Sequence, residues 1–149
     1  MQMTIKAFDK LTTPELYALL KLRCDVFVVE QSCPYPDPDG RDILCHHLMV
    51  TEGGALIACL RILPAGLTFD EVSIGRVAVA EDRRGGGIAR RMMVKAMAHA
   101  RSAMGAGPIK ISAQEYLTDF YASLGFAAVS DPYLEDGIPH VDMLSPSGA

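Results

Sequence analysis

The segment Arg83-Arg84-Gly85-Gly86-Gly87-Ile88-Ala89 holds the residues best placed to do chemistry, because a glycine run there separates a β-rich stretch from a helical one. Glycines let backbone approach a ligand closely, and the first turn of a helix adds unsatisfied N–H donors and the positive end of its dipole. Such a turn wants an anion. A diphosphate suits it, with Arg83 and Arg84 supplying positive charge alongside. The same glycines could also mark a tight turn and nothing more. The segment lacks the Gly-Lys-Ser/Thr ending of a nucleoside-triphosphate loop, and the first strand carries no Gly-x-Gly-x-x-Gly, which sets ATP and NAD aside.

The four cysteines, Cys24, Cys33, Cys45 and Cys59, form no Cys-x-x-Cys pair. Cys33 with Cys45, His46 and His47 is the one grouping that suggests a metal, and its irregular spacing does not match a zinc framework. The expectation is reduced cysteines packed as small hydrophobes and no metal.

Several elements must position the glycine turn. A strand over Met3 to Phe8 leads to Thr12, Thr13, Pro14 and Glu15, which offer a helix cap at Thr12 or Thr13. Leu16, Leu19, Leu20, Arg23, Val26 and Phe27 then recur at helical steps to about Glu30. Pro34, Pro36, Pro38 and Gly40 make the following stretch a shaped loop with few backbone donors. Strands over Cys45 to Thr51 and Ala55 to Leu63 flank Gly53-Gly54, a hairpin signal. Val72 to Ala80 reads as a fourth strand. The helix after Gly87 carries an apolar face of Ile88, Ala89, Met92, Met93, Ala96, Met97 and Ala100, ended by Gly105 and Gly107. A strand at Ile109 to Ser112, a helix near Leu117 to Leu124, strands near Phe126 to Val129 and His140 to Leu144, and a frayed tail from Ser145 to Ala149 follow. This order predicts a single α/β domain over residues 1–149, a mixed sheet of about six or seven strands with helices on both faces.

The chain has 149 residues, half of them hydrophobic, and a net charge of −4, enough for one core and poorly suited to nucleic acid. Met1 to Lys10 lacks a secretory apolar stretch and no later segment is apolar enough to span a bilayer, so no membrane is expected and the cytoplasm is the expected location.

Following Val77, Ala78 and Val79, the residues Arg84, Gly87 and Ala89 match the Arg/Gln-x-x-Gly-x-Gly/Ala motif of the GNAT acyl-CoA N-acyltransferases, which this chain resembles. Gln114, Leu117, Phe120, Tyr121, Gly125 and Phe126 match a second motif of that superfamily, with glutamine in place of asparagine and leucine in place of alanine. Further segments resemble its ElaA-like branch: Leu22-Arg23, Val26 to Gln31, Cys33-Pro34-Tyr35, Ser112-Ala113-Gln114 and Leu134 to His140.

The resemblance implies a GNAT-like sheet with a cofactor cleft between splayed strands 4 and 5, and direct transfer of the acetyl group of acetyl-CoA to an amine. The diphosphate would lie on Arg84, Gly85, Gly86, Gly87, Ile88 and Ala89, and the pantetheine arm on Val77, Ala78, Val79 and Gln114. Tyr121 would protonate the departing thiolate, a phenol being a sensible match for a thiol. Glu30 and His140, and more weakly His46, are candidates for deprotonating the amine, and Glu135-Asp136 would favour a cationic acceptor, small molecule or peptide. An exposed C-terminal strand would be the route to a homodimer. A non-catalytic acyl-CoA sensor and a plain interaction module are the alternative readings.

Overall fold

The capping box closes at Thr12: the Glu15 N–H donates to Thr12 Oγ1 at 3.2 Å and the Thr12 N–H donates to Glu15 Oε1 at 2.8 Å. Thr12 rather than Thr13 therefore caps α1 (Thr13–Arg23), which carries Pro14 in its first turn, where a missing N–H is harmless. The structure, a computed structural model, describes residues 1–147. The expected helix does extend to Glu30, but it widens into π-helical turns over Cys24–Glu30. Leu19, Leu22, Arg23 and Val26 are buried along it, whereas Leu16 and Leu20 are only half-buried.

Eight strands form one sheet: β1 (Gln2–Ala7), β2 (His46–Glu52), β3 (Ala55–Leu63), β4 (Val72–Val79), β5 (Ile109–Gln114), β6 (Ala127–Ala128), β7 (Tyr133–Glu135) and β8 (Ile138–Ser145). Their order is β1-β2-β3-β4-β5-β8-β6, with β7 also paired to β8. Gly53 and Gly54, at φ of 59° and 82°, make the two-residue turn between β2 and β3. Strands β1 to β4 run antiparallel, β4 and β5 are parallel, and β5 and β8 are antiparallel, so the sheet is mixed. The expectation of six or seven strands omits β7, whose three residues are all exposed and carry no apolar alternation. Ser145 is the buried end of β8 rather than the start of a frayed tail, and its hydroxyl accepts from Arg101 at 3.1 Å. Gly148 and Ala149 of that expected tail lie outside the described residues.

Strand β4 changes face partway along. Opposite it, Cys59 pairs with Ala78 but Arg61 pairs with Gly75, so two residues, Arg76 and Val77, face the single Leu60. This is a β-bulge, with Arg76 at φ of 50°. Before it, Val72 and Ile74 face the larger core. After it Val77 and Val79 do so, while Ala78 turns to the opposite layer, because a one-residue slip exchanges the faces of a strand.

Helix α2 (Ile88–Ala103) fills that larger core with Ile88, Met92, Met93, Ala96, Met97 and Ala100. It ends at Gly105, at φ of 65°, where the Ala106 N–H closes onto Ala100 O at 3.0 Å. On the other face, Leu19, Leu22 and Val26 pack with Met49, Cys59 and Ala78. The sheet is thus covered on both sides.

The proline loop is held by charge. Arg23, 2% exposed, donates to Asp37 Oδ2 at 2.9 Å and to Asp42 Oδ1 at 2.8 Å. Arg61, 4% exposed, donates to the same Asp42 oxygen at 2.9 Å and to both oxygens of Asp39. Arg76 donates to the Asp37 carbonyl at 3.0 Å and lies over the Tyr35 ring, whose hydroxyl reaches Asp37. Three arginines and three aspartates replace the backbone hydrogen bonds that a proline-rich segment cannot make. Burial alone would raise the Asp42 carboxyl, but hydrogen bonds from Arg23 and Arg61 outweigh it and hold that carboxyl below its ordinary range. Asp39 is held low in the same way, chiefly by Arg61 against its own desolvation.

Asp42→Ala leaves two buried guanidinium groups short of a shared carboxylate, so it should lower the unfolding free energy by about 3–5 kcal/mol in urea denaturation at neutral pH. Both carboxyls bind protons less readily in the native state than in the unfolded chain. Their stabilisation is therefore complete above the unfolded value of about 3.9 and is lost as pH falls through the lower native values. An Asp42→Ala protein with an unchanged urea midpoint would remove this network from the account of stability.

Candidate functional site

Strands β4 and β5 pair only at Val72 with Ile109 and Ser73 with Lys110, then separate. The gap opens into a cleft of about 700 Å³ floored by both strands and walled by the π-helical turns, the proline loop and the β7–β8 turn. Beyond Ser73 the β5-facing edge of β4 has no strand partner. The Ala80 N–H bonds to Ile57 O at 2.8 Å, which fixes the side on which alternate backbone groups point. By that alternation Ala78 directs its N–H and C=O toward β3, while Val77 and Val79 direct theirs into the gap.

The glycine turn lies at the cleft mouth. Gly85 and Gly87 sit at φ of 87° and 80°, a conformation that glycine adopts without strain, and a Cβ added at Gly85, Gly86 or Gly87 would meet nothing within 4 Å. Gly87 caps α2 without any side-chain cap, and no backbone N–H from Arg84 to Arg90 makes a well-formed hydrogen bond among the described residues. A run of amides without backbone partners thus adjoins a helix N-terminus, which is what an anion requires. The Ile88 side chain is buried in the core, so only its amide is available, whereas the Ala89 side chain lines the cleft.

Arg84 does not point at open solvent. Its guanidinium grips both oxygens of Glu30 at 2.6 and 2.7 Å, and its Nε donates to Val79 O at 3.0 Å. The hydrogen bond from Arg84 lowers the Glu30 carboxyl below its ordinary range, which makes Glu30 a poor proton acceptor. Arg83 pairs with Glu52 instead of turning toward the glycines.

Tyr121, on α3 (Thr118–Ala122), is 7% exposed and lines the cleft, its ring set edge-on to Phe120 and Phe126. Its hydroxyl makes no hydrogen bond among the described residues. Burial pushes its pKa up to about 12, so it is a neutral phenol at any ordinary pH. Gln114 lines the same cleft and donates to Gln31 Oε1 at 3.3 Å.

His140 stands opposite Gln114 in the β5–β8 register and also lines the cleft. Its Nδ1 is 2.7 Å from Ile138 O and its Nε2 is 3.5 Å from Glu135 Oε2. His46 is elsewhere: it contacts His99 of α2 at 2.8 Å and does not line the cleft. The structure therefore gathers Glu30, Val77, Val79, Arg84, Ala89, Gln114, Tyr121 and His140 around one cavity; Gly85, Gly86, Gly87 and Ile88 adjoin it in the chain between Arg84 and Ala89 without lining it, and Ala78 and His46 lie elsewhere. Among the described residues no group of three or more His, Cys, Asp or Glu side chains could hold a metal ion. No helix among the described residues is long and apolar enough to cross a membrane.

Sequence reasoning missed Arg61, Arg76 and Asp39, which line the cleft, and Tyr133, which stacks on His140. Two signals were present: an arginine on the apolar face of α1, and the break in alternation at Gly75-Arg76.

Residues 46–145 match the family model described as the acetyltransferase (GNAT) domain. The chain is 42% identical over 137 residues to protein ElaA of Escherichia coli, covering 91% of this chain and 90% of that protein. It superposes with a TM-score of 0.89 on the crystal structure of an acyl-CoA N-acyltransferase from Pseudomonas aeruginosa, 44% identical, over 96% of this chain and 97% of that one. A GNAT acetyltransferase from Elizabethkingia anophelis, solved with acetyl-CoA bound, shares the fold at a TM-score of 0.65 and 17% identity, over 95% of this chain and 94% of that one.

Because the Tyr121 hydroxyl has no partner to lose, Tyr121→Phe should change the unfolding free energy by less than about 0.5 kcal/mol. A larger loss in chemical denaturation would reveal a structural role for that oxygen.

Proposed function

Since the chain belongs to the GNAT acetyltransferase family, we propose that it moves the acetyl group of acetyl-CoA directly onto a primary amine, with the cationic form of the amine as the species it collects. The observation that carries this reading is the run of amides from Arg84 to Arg90 that lack a backbone partner, in a turn whose Arg84 and Ala89 line the cleft between β4 and β5. Acetyl-CoA supplies an activated thioester. The amides of Gly85 to Ala89 fit its diphosphate, and the Cβ-free space over the glycines admits the phosphate oxygens at contact distance.

The inward-facing groups of Val77 and Val79 suit the pantetheine arm and the thioester. The Val79 carbonyl is already occupied by Arg84, which leaves its N–H and the groups of Val77. An N–H aimed at the thioester oxygen stabilises the tetrahedral state more than the ground state. The amine attacks without an acyl-enzyme step, so no cysteine need act as nucleophile.

Tyr121 is the proton donor to the departing sulfur. A phenol near 12 is a weak partner for a solvated thiol of about 8.5, but the sulfur leaves into the same dry environment. Desolvation raises the basicity of a thiolate that forms beside the buried phenol, which narrows the gap between the two groups.

Charge supports a cationic acceptor. Glu30 and Asp39 in the cleft wall are neutralised by Arg84 and Arg61. Among the described residues Asp136 has no cationic partner and Glu135 has only His140, so the β7–β8 turn is where the cleft keeps net negative charge.

Isothermal calorimetry should detect acetyl-CoA binding, and a thiol-release assay over a panel of polyamines, amino-acid derivatives, aminoglycoside-like amines and peptide N-termini should identify turnover. Absence of acetyl-CoA binding would reject the reading. Tyr121→Phe should lower kcat by about tenfold or more while acetyl-CoA affinity stays within about twofold. Arg84→Ala should weaken acetyl-CoA binding. Glu30→Gln should tighten it by up to about fivefold, because the diphosphate no longer competes with a surface ion pair for the guanidinium.

A further inference from the structure

Within this acetyl-transfer reading, on which the inference rests, we propose that His140 Nε2 takes the proton from the incoming ammonium, and that Glu135 is the positioning residue that supplies its counter-ion. A carbonyl oxygen can only accept, so the 2.7 Å contact between His140 Nδ1 and Ile138 O places the hydrogen on Nδ1. The neutral ring then carries its lone pair on Nε2. That nitrogen lies 3.5 Å from Glu135 Oε2, on a residue that lines the cleft.

A lone pair facing a carboxylate gains nothing while the ring is neutral. Once Nε2 is protonated, the same contact becomes an ion pair, so the geometry rewards the ring for accepting a proton. Tyr133 stacks on the ring at 6.1 Å between centroids and is itself fixed by hydrogen bonds to Asp142 and Ser112, which leaves His140 little freedom to turn. The other groups around the ring are Gln114 opposite it on β5, and Asp136 in the adjoining turn, whose carbonyl accepts from Cys33. No lysine or arginine among the described residues pairs with Glu135 or Asp136. Elsewhere in the cleft, Glu30 and Asp39 are held by arginines and Tyr121 stays protonated, so none of them competes for this task.

The steps balance. An N–H bond of the ammonium breaks and an Nε2–H bond forms, giving a free amine and an imidazolium paired with Glu135. The amine lone pair forms the C–N bond to the thioester carbon, and the C–S bonding pair leaves with sulfur, which takes the Tyr121 proton. The surplus proton on the new amide nitrogen returns to the Tyr121 oxygen. Glu135, with its side chain 55% exposed, passes the His140 proton to water.

The test uses pH–rate profiles of kcat/KM with acetyl-CoA and the best amine from the panel, for the wild type, His140→Gln and Glu135→Gln. His140→Gln should lose about tenfold or more at neutral pH and lose the acidic limb that the wild type shows. Glu135→Gln should keep that limb but move it to lower pH, since the imidazolium has lost its partner. An acidic limb that persists unchanged in His140→Gln, or one that does not move in Glu135→Gln, overturns the proposal. Nitrogen-15 spectra of the histidine rings give a readout independent of turnover: His140 protonated on Nδ1 is expected, and the Nε2–H tautomer overturns the assignment. Calorimetry with acetyl-CoA on the same proteins separates the two readings, since binding should be unchanged in both variants and its absence in the wild type would count against acetyl transfer itself.

Discussion

Beyond Ser73, strand β4 can be paired on one side only, and the cleft exists because of that constraint. Two residue pairs join β4 to β5, after which the strands part and the edge facing β5 loses its strand partner, the Val79 carbonyl being taken by Arg84. A buried strand edge with idle donors and acceptors is costly, so the gap favours a ligand that can satisfy them. The bulge at Arg76 and Val77 sharpens the effect: it turns Val77 and Val79 onto the α2 side of the strand and releases Ala78 to the α1 layer. The glycine turn follows directly from the end of this strand. Unpaired edge and uncapped helix therefore meet in one place, with Arg84 joining them through Val79 O.

The bulge also delivers Arg76 to the charge network beneath the proline loop. Backbone that strays from the regular strand conformation in a non-glycine residue carries a cost, and here the side chain repays it by reaching Asp37 and Tyr35. Arg23 comes from α1, Arg61 from β3 and Arg76 from β4, so a single loop ties three elements together through its aspartates and the Asp37 carbonyl. The arrangement is rigid in a way that a proline-rich segment could not otherwise be. It also leaves the arginines of this wall paired, so the carboxylates of the cleft without an arginine or lysine partner among the described residues lie on the β7–β8 turn.

Much of this was legible from local sequence signals. The capping residues of α1, the Gly53-Gly54 hairpin, the apolar face of α2 and the glycine turn each depend on neighbours within a few positions, and each stands where those neighbours put it. The bulge was half legible, since Val72 and Ile74 share one parity and Val77 and Val79 the other. Arg23 on an apolar helix face likewise announced a buried cation in need of carboxylates, and the loop after it offered three aspartates. What no periodicity could supply was the pairing, because which aspartate meets which arginine is decided by contacts fourteen to twenty-two residues or more apart. The π-helical turns and β7 escaped for the same reason: α1 and the π-turns share one apolar rhythm, and β7 is held by β8 rather than by its own sequence.

The two proton-handling ends proposed for the site differ most in their access to water. Tyr121 and His140 are both buried, at 7% and 9% exposed, but His140 abuts Glu135, whose side chain is more than half exposed. That asymmetry suits a transfer in which one proton is cycled internally and another is discarded. The phenol gives a proton to sulfur and recovers one from the amide nitrogen, so a dry setting costs it nothing and prevents wasteful exchange with solvent. The base must release a proton to bulk water in every turnover, and a carboxylate at the cleft rim gives it a route. Exchanging the positions would fail on both counts: a solvated phenol would sit beside an easily hydrated thiolate, and a buried imidazolium with no exposed carboxylate beside it would hold its proton with no exit.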